Sequence, residues 1–507
     1  MSSPSTSSSS TPLQNQPAPS PQSQLASLEA PADAAYYPAA IVGFDADGAG
    51  RYALRSPATG EVIAEVADCG VEQAKLAADN AQRGFESWRR TTAFERAALL
   101  KAWHQAMLEA KEVLAVTMAR EMGKPIREAR GEVDYAASFL EWYAEQAKRI
   151  DGDILPAQHP DKRLAVLRQP VGPVLAITPW NFPAAMITRK VAPGLAAGCS
   201  VIVKPAEQTP ITALMLARLW QQAGGPAEVF QVITAERPAA VSDELMEDRR
   251  IRKVTFTGST PVGKHLYAKS AATMKRMSLE LGGHAPFLVF DDADIDAAVA
   301  EVMASKFRNG GQTCVCANRI YVQRGILETF SARLTAAVDE LRVGQPEDES
   351  TQIGPLVSQA GRDKAQSHID DALSKGARRL TAARDVDGFF VAPTVLADVT
   401  DDMRIMQEET FGPVAPLIAF DSEEEAIAAA NATPFGLAAY FWTRNLGRAA
   451  RVSEALDYGI VGVNDGAPSV PQAPFGGVKD SGLGREGGRY GIDEYLDLKF
   501  VSTRLDG

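Results

Sequence analysis

The sequence predicts an α/β protein of two doubly wound parallel-sheet domains with a small β arm, and three observations lead there. Short apolar runs alternate with helical stretches: VLAITP (174–179) and VIVKP (201–205), each closed by proline, then VFQVI (229–233) and VTFTG (254–258). The same alternation starts afresh at PFLVF (286–290) and passes through a helical stretch to RIYVQ (319–323). Finally, EYLDLKFVSTR alternates like a strand at the chain end, where neither core needs it. Such a strand completes a sheet elsewhere, or in another subunit.

The elements follow in chain order. Residues 1–35 are rich in Ser, Pro and Gln and are expected to be a disordered tail, because they cannot bury enough apolar surface to order themselves. Arg51 is the first basic residue, so neither a signal peptide nor an Arg-rich transit peptide is expected, and the reading is cytoplasmic. From Val71 to about Ile150 the apolar period is helical, with Leu100, Trp103 and Met107 on one face. The runs after Pro173 suit buried parallel strands. Between the first two, AAMITRKVAPGLAAG has room for a crossover helix that Pro193 should kink or end.

Composition narrows the function classes. A chain of 507 residues is too long for one small core. Its net charge of −12 argues against a nucleic-acid or anionic-membrane surface. Cysteines 69, 199, 314 and 316 form neither a disulfide framework nor a CxxC zinc pair, which suits a reducing compartment and no metal. No apolar run approaches the ~20 residues of a membrane-spanning helix.

Two of those cysteines stand one residue apart in GQTCVCANR (311–319), a glycine-containing loop between a helix and a strand. Other segments belong with it: PWNFP (179–183), KPAEQTP (204–210), FTGSTPVG (256–263), LELGG (279–283), EETFGP (408–413) and PFGGVKDSGLGRE (474–486). Each is weak alone; together, in this order, they resemble the aldehyde dehydrogenase superfamily from about residue 40 to the C-terminus. TPWNFPAAMITRK, the doubled cysteine and GREGGRYGIDEYL are most similar to its succinate-semialdehyde dehydrogenase branch. The resemblance implies a dinucleotide-binding domain over 36–150 and 171–285, a catalytic domain over 286–481, and an oligomerisation arm over 151–170 and 482–507. A homodimer or homotetramer is implied as well.

The resemblance also implies roles. Cys314 matches the nucleophile, and a thiolate can add to an aldehyde and be carried as a thioester. Its thiol, with an ordinary pKa near ~8.5, needs a base. Glu280 resembles that base; read alone it could be a surface carboxylate. Asn181 resembles the oxyanion-hole amide, acting with the Cys314 N–H. On the cofactor side, Trp180 stands beside it. Gly258, Ser259 and Gly263 would meet a phosphate at a helix start. Lys204 and Glu207 resemble the pair holding the adenosine ribose, where a carboxylate repels a 2′-phosphate and favours NAD over NADP. NADP stays open, since the lysine softens that repulsion. Glu409 and Phe411 resemble the contacts to the nicotinamide ribose and ring. Lys190 and Glu486 resemble either a proton relay or two surface charges.

For the substrate, Arg189, Arg308 and Ser469 match the residues that bind a distal carboxylate, a task suited to the planar guanidinium fork. The expected reaction is oxidation of succinate semialdehyde to succinate, with glutarate semialdehyde or a general aldehyde as alternatives. Cys316 reads as either a resolving thiol for a redox switch or a small packed residue. Two other classes stay in view. A cysteine hydrolase would need a histidine base, for which His284 is the candidate; a binding protein would not need Cys314, Glu280 and Asn181 together.

Overall fold

The computed structural model describes residues 35–505. The disordered tail expected over 1–35 lies outside that range, residue 35 apart. Four helices cover the first helical stretch: Val71–Trp88, Ala93–Glu109, Lys111–Met122 and Ile126–Ala147. Leu100, Trp103 and Met107 are fully buried, as their shared face requires. Trp103 meets Trp220 edge-on at 5.5 Å and Phe230 at 5.3 Å, which locks this layer onto the first sheet. Thr92 starts the second helix with a capping box, its hydroxyl accepting from Glu95 N while Glu95 returns to Thr92 N.

The first sheet holds five parallel strands, Val174–Ile177, Val201–Lys204, Phe230–Val232, Lys253–Thr257 and Arg276–Glu280. The strand 174–177 lies between 201–204 on one side and 253–257 on the other, so the winding reverses there. In such sheets the crevice for a ligand opens at the C-terminal ends of the two strands flanking the reversal. Here those ends are Ile177 and Thr257.

The crossover helix runs Ala185–Ala197 straight through Pro193. The expected ending does not occur: Pro193 forfeits one i→i−4 hydrogen bond, and the fully buried packing of this helix outweighs that loss. The helix stops instead at Gly198, φ 99°.

The second sheet has seven strands, parallel throughout except for Arg378–Arg379 at one edge. Its first two, Ala285–Val289 and Ala317–Gln323, are joined by helix Ile295–Val302. That helix widens into a π turn at Met303–Phe307 and breaks at Arg308–Gly311, with Asn309 and Gly310 left-handed. The break lifts residues 312–316 out of the layer.

A third sheet pairs Leu496–Arg504 with Lys162–Pro170 over nine antiparallel residue pairs, and Asp153–Leu155 with the other edge of 162–170. Gly482–Leu483 does not join it; these residues pair with Leu279–Glu280 at the edge of the first sheet. Ile154, Leu498 and Phe500 stand exposed on this arm, Ile154 at 84%. Among the described residues, no helix is long and apolar enough to cross a membrane, and no cluster of three His, Cys, Asp or Glu could hold a metal.

Candidate active site

The nucleophile loop is assembled from glycines that let backbones touch. A side chain at Gly283 would run into the Cys314 carbonyl at 2.3 Å, so LELGG and the cysteine loop meet there only because Gly283 has none. Gly311, φ +76°, does the same against the Gly412 carbonyl. These contacts bring Cys314, Glu280 and the Glu409–Phe411 loop together from three distant stretches.

Cys314 keeps some surface open, yet its surroundings push the thiol up to about 12; burial is the main cause, with Arg189 and more weakly Arg308 pulling the other way. Glu280 ends its strand buried, with Oε2 lacking a hydrogen-bond partner among the described residues. Burial, then the nearby Glu486, hold its carboxyl well above the usual carboxylate range, against Arg189 and Lys190. A carboxylate so displaced suits a general base working near neutrality.

Asn181 is buried, and its Nδ2 donates to the Gln312 carbonyl at 2.9 Å. One amide hydrogen is thus spent on orientation, and the second stays free for an oxyanion. The Asn181 backbone carbonyl accepts from Lys124 Nζ at 2.9 Å and Asn309 Nδ2 at 3.0 Å. Lys124 pairs in turn with Glu132, whose other oxygen accepts from the N–H groups of Ala184 and Ala185 at the start of the crossover helix. This scaffold of Lys124, Glu132, Asn309 and Gln312 escaped the sequence reading. A Lys in the short link between two helices and a Glu on the helix that follows look like solvated charges, and only their burial shows otherwise.

Arg189 lies on the crossover helix, 2% exposed. Its Nε is 3.2 Å from Glu486 Oε2, aligned as an ion pair but not as a hydrogen bond, and its guanidinium lies 3.9 Å from the Phe475 ring centre. Glu486 also takes Lys190, whose Nζ donates to Thr257 Oγ1 at 2.7 Å. Lys190 and Glu486 are therefore both buried and are not surface charges. Arg308 differs: it forms no ion pair among the described residues, its Nε is buried without a partner, and it stacks over Phe182 at 5.4 Å. Ser469 is half-buried and shares a 2.8 Å hydrogen bond with Tyr135, a residue the sequence reading passed over.

Cys316 points elsewhere. It is fully buried, with Sγ 3.4 Å from Lys306 Nζ, and both thiols of the pair are free. His284 offers its Nε2 to the Met406 carbonyl at 2.9 Å and makes no bond to Cys314, so the cysteine-hydrolase arrangement is absent.

At the sheet's reversal point a cavity of about 680 Å³ is lined by Trp180, Lys204, Glu207, Gly258 and Ser259, among others. Lys204 is buried and lies 3.7 Å from Glu207 Oε2. Ser259 precedes helix Thr260–Ser270 without capping it, which leaves its hydroxyl and the helix N–H groups available to an anion. Gly263 does not line the cavity; a side chain there would strike Leu281 at 2.3 Å, so it packs helix on strand. Beyond the crevice, Phe411 holds φ +56° and meets Trp180 edge-on at 5.5 Å, while Glu409 accepts from Gly283 N at 3.2 Å. Burial raises Glu409 to about 7. A crevice of this size at the reversal point, with a carboxylate–lysine pair and Trp180 in its wall, fits a dinucleotide.

Comparison with known proteins agrees with this geometry. Residues 44–501 match the aldehyde dehydrogenase family. The chain is 53% identical over 459 residues to a succinate semialdehyde dehydrogenase of Acinetobacter baylyi, covering 90% of this chain and 95% of the relative. It is 51% identical over 457 residues to a glutarate-semialdehyde dehydrogenase of Pseudomonas putida, again 90% and 95%. Among solved structures, an aldehyde dehydrogenase of Brucella melitensis biovar abortus 2308 superposes with a TM-score of 0.91 at 52% identity, covering 95% of this chain and 99% of that one.

Proposed function

This chain belongs to the aldehyde dehydrogenase family, and we propose that it oxidises succinate semialdehyde to succinate with NAD. The observation carrying the substrate reading is Arg308: a guanidinium without an ion pair, six residues before the nucleophile, with a buried Nε awaiting an acceptor. A short aldehyde with a distal carboxylate supplies that acceptor. The relatives named for succinate and glutarate semialdehyde both act on such compounds, which supports the same reading.

The chain's own groups divide the work. Arg308, Arg189 and Ser469 hold the carboxylate, so that the carbonyl carbon faces Cys314 Sγ. Glu280 takes the thiol proton; the thiolate adds to the carbonyl, and the new alkoxide rests on the free Asn181 amide hydrogen and the Cys314 N–H. Trp180, Glu409 and Phe411 would hold the nicotinamide of NAD, which when bound would supply the acceptor for the hydride leaving the adduct carbon. The resulting Cys314 thioester is hydrolysed by water that Glu280 deprotonates, releasing succinate. The proton leaves Glu280 through Glu486 and Lys190.

Glu207 supports the NAD reading, since a carboxylate in this crevice would repel a 2′-phosphate, a repulsion that Lys204 beside it softens. The exposed Ile154, Leu498 and Phe500 make the arm the natural seam of a homo-oligomer. Four free thiols suit the cytoplasm.

The test is kcat/KM with NAD for succinate semialdehyde, glutarate semialdehyde and butanal. A preference of ~10³-fold or more for the first over butanal is expected, because the wrong substrate leaves buried donors unpaired. Near equality would return the protein to a general aldehyde dehydrogenase. A faster reaction with glutarate semialdehyde would lengthen the assigned substrate by one methylene.

A further inference from the structure

We propose that Tyr135 is a specificity-determining positioning residue: its phenol donates to the Ser469 hydroxyl and so leaves the Ser469 hydrogen for the distal anion of the substrate. This rests on the reading that Arg189, Arg308 and Ser469 receive that anion.

The two residues are 334 apart in sequence and meet at 2.8 Å. A serine hydroxyl has one hydrogen and two lone pairs. Neither hydroxyl has another hydrogen-bond partner among the described residues. The phenol is the more acidic of the two and hence the better donor. With Tyr135 donating, the Ser469 hydrogen points to whatever occupies the site.

The surroundings fix this arrangement from both sides. Tyr135 stands edge-on to Phe139 at 5.0 Å, one turn along helix Ile126–Ala147. Phe139 in turn lies 5.4 Å from the Arg189 guanidinium. The loop carrying Ser469 is tied at its other end, where Gly466 N donates to Glu301 Oε2 at 3.0 Å, and Glu301 sits on the helix leading to Arg308. Tyr135 thus clamps the loose side of a loop already tied to the Arg308 segment. A carboxylate has about four acceptor sites, more than one guanidinium fork can fill. A correctly turned hydroxyl is a further donor that butanal cannot use.

The experiment measures kcat/KM with NAD for succinate semialdehyde and butanal in the wild type, Y135F, S469A and the double variant. Y135F and S469A should each lose about tenfold with succinate semialdehyde, mainly through KM, since a hydrogen bond to a charged group is removed. Thermal unfolding within a few degrees of wild type reports that each variant folds, and the loss with butanal should be clearly smaller than with succinate semialdehyde. The double variant should lose no more than the worse single one, because both act through one hydroxyl. Losses that multiply to about a hundredfold, an unaltered Y135F, or an equal loss with butanal would each overturn the proposal. A wild type without preference for succinate semialdehyde would instead bring down the anion-site reading, and this proposal with it.

Discussion

Lys124 donates from inside the protein to the backbone carbonyl of Asn181, at 2.9 Å, while pairing with Glu132. The lysine therefore sets where the Asn181 amide sits without touching the reaction. K124M should lower kcat about 100-fold, since a displacement near 1 Å is enough for that, with a smaller change in KM. It should also cost about 3 kcal/mol or more of stability, because Glu132 is left buried without its cation. Steady-state kinetics and urea unfolding on the same preparation check both numbers. Lost stability with unchanged kcat would mean that Lys124 serves the fold alone.

Arg189 and Arg308 are alike in sequence context and unlike in the structure. Arg189 is ion-paired to Glu486, and Arg308 has no ion pair among the described residues. R308M should therefore lose at least 100-fold in kcat/KM for succinate semialdehyde, through KM, with thermal unfolding within a few degrees of wild type. R189M should lose activity and also about 3 kcal/mol, as Glu486 is then balanced by Lys190 only. Matching stability losses in both variants would contradict the difference.

These two predictions mark what could be read in advance. The sheets were legible because buried parallel strands read as short apolar runs, VLAI and VIVK among them. The groups proposed to react, Cys314, Glu280 and Asn181, could be picked out because they sit in motifs whose order carries information. Lys124, Glu132 and Tyr135 were not, since Lys124 lies in the short link between two helices and the other two on an amphipathic helix, places where a charge or a phenol ordinarily faces water. What gives them a role is a partner 8 to 334 residues away, and nothing local in the chain encodes that contact. The run through Pro193 was hidden for a related reason, as the burial that holds the helix together comes from elements distant in sequence.

On the proposed NAD reading, cofactor choice turns on Glu207. Its carboxylate lines the dinucleotide crevice 3.7 Å from a buried lysine, and like-charge contact costs several kcal/mol. E207S should raise kcat/KM with NADP by about 100-fold and lower that with NAD by about tenfold, as a ribose acceptor is lost. Initial rates with both coenzymes at saturating aldehyde decide it. An unchanged NAD to NADP ratio would place the discrimination elsewhere.

The pH dependence follows from two displaced groups. Glu280 works as a base only when ionised, and burial and Glu486 raise its pKa, so protonation disables it over a range that reaches above the usual carboxylate values. Activity should therefore rise with pH through the Glu280 pKa and level off above it. E280Q removes the base but leaves Cys314, whose thiol stands at about 12. Its rate at neutral pH should fall by about 100-fold or more. What remains should keep climbing tenfold per pH unit toward pH 10, because an unaided thiol must then supply its own thiolate. The pH profile of kcat/KM for wild type and E280Q measures both limbs. A plateau in E280Q below pH 8 would show that Cys314 ionises without Glu280, with Arg189 and Arg308 as the charges able to hold its thiolate.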